Sequence, residues 1–227
     1  MTAPLLSQDF ELAARPHPGR IAIVTDAWEP QMNGVVRTLA TTVTMLRGRG
    51  HQVLVIAPDR FIFVPCPTYP DIRLACTTPA RVARILSAFA PDAIHIATEG
   101  PLGAAARHVC VSRSWPFTTA FHTQFPAYLA RRTGLPERLF WRYIRWFHRP
   151  AARVMVATAS IEAELAERGI SAVHRWSRGV DLTQFTPSAP APVEFANLER
   201  PIQLYVGRVA VEKNVEAFLA AAHPGSK

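Results

Sequence analysis

The chain has 227 residues, 49% of them hydrophobic and 19% charged, the balance of a globular protein rather than a disordered or fibrous one. That length holds one large domain, or one domain and part of another at roughly 100–200 residues each; no apolar run approaches the ~20 residues that span a bilayer. Against 17 acidic residues stand 25 basic ones, a formal charge of +8, which admits nucleic acid, an acidic membrane surface or phosphorylated substrates without choosing between them.

Residues 1–18 lack the basic start and continuous apolar stretch of an export signal and read as a tail. Arg20-Ile-Ala-Ile-Val-Thr25 is then a short apolar run ending at Asp26, and Gln52-Val-Leu-Val-Ile-Ala57 a second ending at Pro58; both predict buried parallel strands. Between them Val35, Val36, Leu39, Val43 and Leu46 recur at helical spacing until Gly48 and Gly50 stop the pattern. The alternation continues with helix 79–89, strand 92–97, helix 101–112, strand 117–121, helices across 125–149, strand 153–157 and helix 160–168. Such regular alternation predicts a doubly wound α/β domain over residues 19–187, with ligands at the carboxyl ends of its strands. Pro190 and Pro192, just after Pro187, mark a linker at 188–200. Residues 202–206 and 214–222 then predict one strand and one helix of a second domain at 201–227, too little to bury a core alone.

Three loops carry residues suited to chemistry. Asn33-Gly34 lies between the first strand and its helix; a residue without Cβ there lets the backbone approach a phosphate, and an ordinary Asn-Gly turn is the alternative. His122 follows the strand at 117–121, where an imidazole can bond a sugar hydroxyl, or simply bond to backbone. Arg208 and Lys213 flank the turn after the strand at 202–206, and two cations at a helix start suit a diphosphate. Arg138, Arg142, Arg145 and Arg149 form one helical stripe interleaved with Trp141, Tyr143, Trp146 and Phe147. Arg138, Arg142 and Arg145 are candidates for an anionic membrane surface, the alternative being a solvated face whose aromatics pack on the sheet. Cys66, Cys76 and Cys110 are odd in number and lack zinc-like spacing, which favours reduced thiols in a cytoplasm. No zinc finger, RNA-recognition motif or basic zipper is present, so nucleic acid is not an expected partner. Hydrolase elbows, P-loops and His-Glu-x-x-His are likewise missing.

Tyr205-Val-Gly-Arg-Val-Ala-Val-Glu-Lys-Asn214 resembles the Gly-Arg…Glu-Lys motif of the family-4 retaining glycosyltransferases of GT-B fold. Asn33-Gly34 resembles their first loop, with Asn33 in place of a first glycine. Phe121-His-Thr-Gln-Phe-Pro-Ala-Tyr128 is similar to a segment of their mannosyltransferase-like members, and Trp176-Ser-Arg-Gly-Val-Asp181, with Phe185 and Pro187, to the crossing between the two domains. The resemblance covers residues 20–227. It implies a GT-B enzyme without bound metal that moves a hexose, mannose from GDP-mannose favoured, from a nucleotide-sugar to a lipid or glycan hydroxyl with retention of configuration. On it, His122 is the catalytic residue and Gly34, Arg208 and Lys213 hold the donor diphosphate; Asp181 is structural. The family's Glu-x7-Glu pair has no match in the chain, so the resemblance implies a donor-side domain of which only the start is included. The expected place is the cytoplasm, with the inner face of the plasma membrane as the place of glycolipid synthesis. A truncated, non-catalytic binding or membrane-docking module is the alternative.

Overall fold

The computed structural model describes residues 19–66, 69–122, 125–177, 179, 182, 185–188, 190–207, 209 and 213–226. The chain forms two compact units, Met1–Arg178 and Gly179–Lys227. The tail at 1–18 lies outside the described residues.

The first unit is built on a six-stranded parallel sheet. Strand β1 (Arg20–Val24) leads to helix α1 (Gly34–Gly48) and β2 (Gln52–Ile56), which pairs with β1 in parallel register, Arg20 opposite Gln52 and Val24 opposite Ile56. An antiparallel hairpin follows, β3 (Ile62–Cys66) and β4 (Tyr69–Cys76), with a register shift at Pro65 and Cys66. Then come α2 (Pro79–Phe89), β5 (Ala93–Ile96), α3 (Pro101–Ser112), β6 (Thr118–Phe121), α4 (Phe125–Thr133), α5 (Glu137–His148), β7 (Arg153–Val156), α6 (Ala159–Glu167) and β8 (Val173–Arg175). The sheet order is β2-β1-β5-β6-β7-β8. The chain runs outward from β1 to β2 and returns to place β5 on the other side of β1. The order therefore reverses between β1 and β5, which is where open α/β sheets form their ligand crevice.

Alternation along β1 explains the layering. Ala22 and Val24 point into the main core with Ile94, Ile96, Val154 and Val156 of neighbouring strands, under Val82 and Leu86 of α2, Leu102 and Val109 of α3, Ile144 and Phe147 of α5 and Leu165 of α6. Ile23 points the other way, against Leu39 and Val43 of α1. Helix starts agree with local chemistry: Thr78 and Thr158 side chains accept backbone N–H groups at the starts of α2 and α6, and proline occupies the first turn of α2 and α3.

The structure differs from the sequence reading in four places. The β3–β4 hairpin and the short edge strand β8 are additional. Residues 202–206, read as a strand, are instead irregular chain with a single bridge between Ile202 and Ser226. A strand needs a neighbour along its length, and among the described residues of the second unit only Ser226 supplies one. The expected helix over 214–222 is the shorter α7 (Val215–Ala220). Asn214 in the left-handed conformation (φ 48°) precedes it.

Candidate functional site

The carboxyl ends of β1, β5 and β6 carry the polar residues of the crevice. After β1 the chain turns at Asp26, whose carboxylate is buried: Oδ1 accepts the N–H of Leu102 (2.9 Å), Oδ2 that of Gly103 (3.1 Å), and Thr98 Oγ1 donates to Oδ2 (3.0 Å). Leu102 and Gly103 belong to the first turn of α3, where N–H groups lack intrahelical partners and the dipole favours an anion. Burial nevertheless outweighs these bonds and pushes the Asp26 carboxyl above its ordinary range. The fit leaves no slack. A Cβ on Gly100 would lie 2.4 Å from the Asp26 carboxyl carbon, and one on Gly103 only 1.9 Å from the Thr98 carbonyl oxygen.

The same loop continues to the Asn-Gly turn. Gln31 Nε2 donates to the Asp26 carbonyl (3.2 Å), Asn33 Nδ2 donates to Gln31 Oε1 (3.4 Å), and Asn33 Oδ1 accepts from the N–H of Val35 and Val36, both at 3.0 Å. Asn33 is thus the N-cap of α1 and Gly34 its exposed first residue.

His122 leaves β6 half-buried, its ring centroid 6.3 Å from that of Trp176. Trp176 also packs edge-on against His95 of β5, whose Nδ1 lies 2.8 Å from Thr118 Oγ1. Enclosure of the His95 ring pushes its imidazole down to about 4, so it is neutral at physiological pH. Cys110 is buried and its thiol is pushed up to about 12; this is the state of an inert core thiol.

The opposite wall of the β5–β6 region is tied to α5. Tyr143 Oη donates to the Glu99 carbonyl (2.5 Å), and burial, with the Glu99 and Asp26 charges, pushes the phenol up to about 12. Arg107 of α3 donates to the carbonyls of Trp146 (2.5 Å) and Phe147 (3.1 Å) while its guanidinium stacks 3.8 Å from the Trp146 ring centre. Helix α5 therefore buries Trp141, Ile144, Phe147 and His148 and presents Arg138, Arg142, Arg145 and Arg149 outward with Tyr143 and Trp146. Arg107, Arg142, Arg145, Arg149 and Arg168 line one groove together with Trp146. The aromatics divide: Trp141 and Phe147 pack in the core, whereas Trp146 remains 46% exposed beside the arginines.

Gly34, at the start of α1, and His122, directly after β6, thus stand at the same end of one sheet. Lys213 is an exposed residue of the second unit, just before Asn214 and α7. Arg208 and Asp181 lie outside the described residues, as do Thr123 and Gln124. Sequence reasoning passed over Asp26, Glu99 and His148, although a carboxylate placed directly after an apolar strand run was a usable signal for Asp26.

A parallel sheet that reverses order beside a glycine-bearing first loop defines a Rossmann-like α/β domain. Residues 32–184 match Glycosyltransferase Family 4, and the chain belongs to that family. It is 33% identical to the GDP-mannose-dependent alpha-mannosyltransferase of Mycobacterium tuberculosis, over 91% of this chain and 60% of that protein. The enzyme of the same name from Mycolicibacterium smegmatis is 34% identical over 89% of this chain and 60% of its own length. A sulfoquinovosyl transferase of Arabidopsis thaliana is 29% identical over 94% of this chain and 46% of its own length. The chain spans about 60% of the length of the two mannosyltransferases.

Proposed function

We propose that the protein is a hexosyltransferase that moves mannose from GDP-mannose to a lipid or glycan hydroxyl with retention of configuration, and that its second unit begins the donor-side domain. The observation that carries this reading is the 33% identity, along 91% of the chain, to a protein named a GDP-mannose-dependent alpha-mannosyltransferase. The geometry is compatible with it. Gly34 offers a loop without Cβ at the crevice for the donor diphosphate, and His122 a ring at the end of β6 for the reacting sugar. Arg208 and Lys213 take the charge that develops on the leaving diphosphate as the bond from the sugar's anomeric carbon to phosphate oxygen breaks. The acceptor oxygen bonds to that carbon and its proton passes to the departing diphosphate. Cations placed in advance around a leaving group often contribute more to such catalysis than any other single effect.

In the protein with its donor-side domain complete, Lys213→Ala is expected to lower GDP-mannose turnover by about 10²-fold or more while the far-ultraviolet circular dichroism stays unchanged. Near-normal turnover would refute the role of Lys213, and absence of transfer from any nucleotide-sugar would refute the reading itself.

The outward face of α5 favours a second, compatible reading: this face meets an anionic membrane at which a lipid acceptor would be presented. Arginines around an exposed Trp146 suit phosphate headgroups and the interfacial layer. Among the described residues no helix is long and apolar enough to cross a membrane. If calorimetry detects no affinity for GDP-mannose, UDP-glucose or GDP while vesicles still bind, the chain is a docking module rather than a transferase.

A further inference from the structure

A largely buried chain of polar contacts and backbone links joins α5 to the Asn33-Gly34 turn, and no step of the proposed transfer uses it. It starts at His148, the last residue of α5, whose side chain is fully buried between the rings of Phe121 and Phe147. Its Nδ1 lies 2.8 Å from Thr119 Oγ1 and its Nε2 lies 3.3 Å from Glu99 Oε1, a side chain only 6% exposed. The second contact has the reach of an ion pair when the ring is protonated, without the alignment of a hydrogen bond. Glu99 is the residue before Gly100, the N-cap of α3, and its carbonyl is held by Tyr143 of the same α5. Two and three residues beyond Gly100, the Leu102 and Gly103 amides bind Asp26; the Asp26 carbonyl holds Gln31, Gln31 holds Asn33, and Asn33 caps α1.

Two features make this chain a transmitter. A buried carboxylate that loses its partner cannot stay where it is without cost, so Glu99 moves when His148 no longer meets it. The turn that would absorb the movement is closed by Gly100 and Gly103, each already too near Asp26 or Thr98 to admit a methyl group. A close-packed turn passes displacement on instead of damping it.

We propose that Glu99 and His148 are positioning residues for the transfer site: acting through Asp26, they fix the Asn33-Gly34 turn and thereby the backbone that approaches the donor diphosphate. The inference rests on the reading of Gly34 given above, but its first test does not need activity. His148→Phe keeps an aromatic ring against Phe121 and Phe147 and removes both polar contacts. In the 227-residue chain, hydrogen exchange at the Val35 and Val36 amides is expected to accelerate about tenfold in this variant, with the amides of β1 and β2 unchanged. Glu99→Gln, which keeps the shape and leaves no buried charge without a partner, is expected to stay close to the wild type.

Acceleration confined to the neighbours of residues 99 and 148, or spread equally over β1 and β2, would overturn the proposal, because the pair would then only stabilise the core. Should His148→Phe fail to fold, His148→Asn, which keeps a polar atom for Thr119 and removes the contact with Glu99, takes its place with the same criteria. In the protein with its complete donor-side domain, His148→Phe is expected to lower kcat about tenfold at unchanged KM for GDP-mannose; an unchanged kcat overturns the positioning role. A wild-type protein that transfers no sugar removes the functional reading and leaves the exchange pattern to decide whether the turn is positioned.

Discussion

His95 sits in the middle of β5 with Nδ1 against Thr118 and its ring against Trp176, and this enclosure sets a pH dependence. The unfolded chain takes up a proton on this imidazole near 6.5, whereas the folded protein refuses it until about 4. Between those values the unfolded state binds more protons, so stability is present above the unfolded value and is lost as pH falls, by at most about 3 kcal/mol. Asp26 acts in the opposite sense, since burial raises its folded value and favours the folded state at low pH. Comparing wild type with His95→Gln isolates His95, because Asp26 is common to both. The fall in Tm between about pH 7 and about pH 4.5 is expected to be smaller in the variant. Equal falls in thermal melts of the two proteins would show that the ring titrates in the folded state as it does in the unfolded chain.

At the scale of elements, α5 is the informative case. Its outward arginines were legible from spacing as one stripe, whereas the inward set of Trp141, Ile144, Phe147 and His148 was not singled out. What spacing did not tell is that Trp146 stays outside with the arginines while Trp141, five residues earlier, goes in. If α5 meets an anionic surface, Arg142→Glu with Arg145→Glu changes the local charge by about four and is expected to weaken binding to phosphatidylserine vesicles at least tenfold, at roughly 1 kcal/mol per basic residue lost. Unchanged co-sedimentation would exclude this face. The buried strands were legible as continuous apolar runs, which sheets covered on both faces require. The β3–β4 hairpin was hidden because its sequence holds Pro65, Pro67 and Pro70, and proline argues against a strand; it is accommodated at the register shift. Strand β8 was hidden because a three-residue edge strand carries almost no pattern.

At the scale of the whole molecule, family membership was readable from several motifs standing in the family's order, and the loops of Gly34 and His122 from the chain order of an open parallel sheet. The supporting chain of Asp26, Glu99 and His148 was not, since its partners are separated by up to 77 residues and only the folded sheet brings them together. The same fold leaves the β3–β4 hairpin as a separate two-stranded sheet, and Ile62 is 77% exposed beside the exposed Phe63 and Val64. A run of this kind, uncharged and rich in strand-forming residues, is what recruits further strands into aggregates. Pro65 lies at its end with no N–H to offer. Pro65→Thr would supply that donor and lengthen the edge that a second molecule could join. Its light scattering on concentration is expected to rise above wild type with Tm little changed, and scattering equal to wild type would show that the edge is guarded otherwise. The proline that concealed the hairpin from a reader of the sequence would then be what keeps the protein in solution.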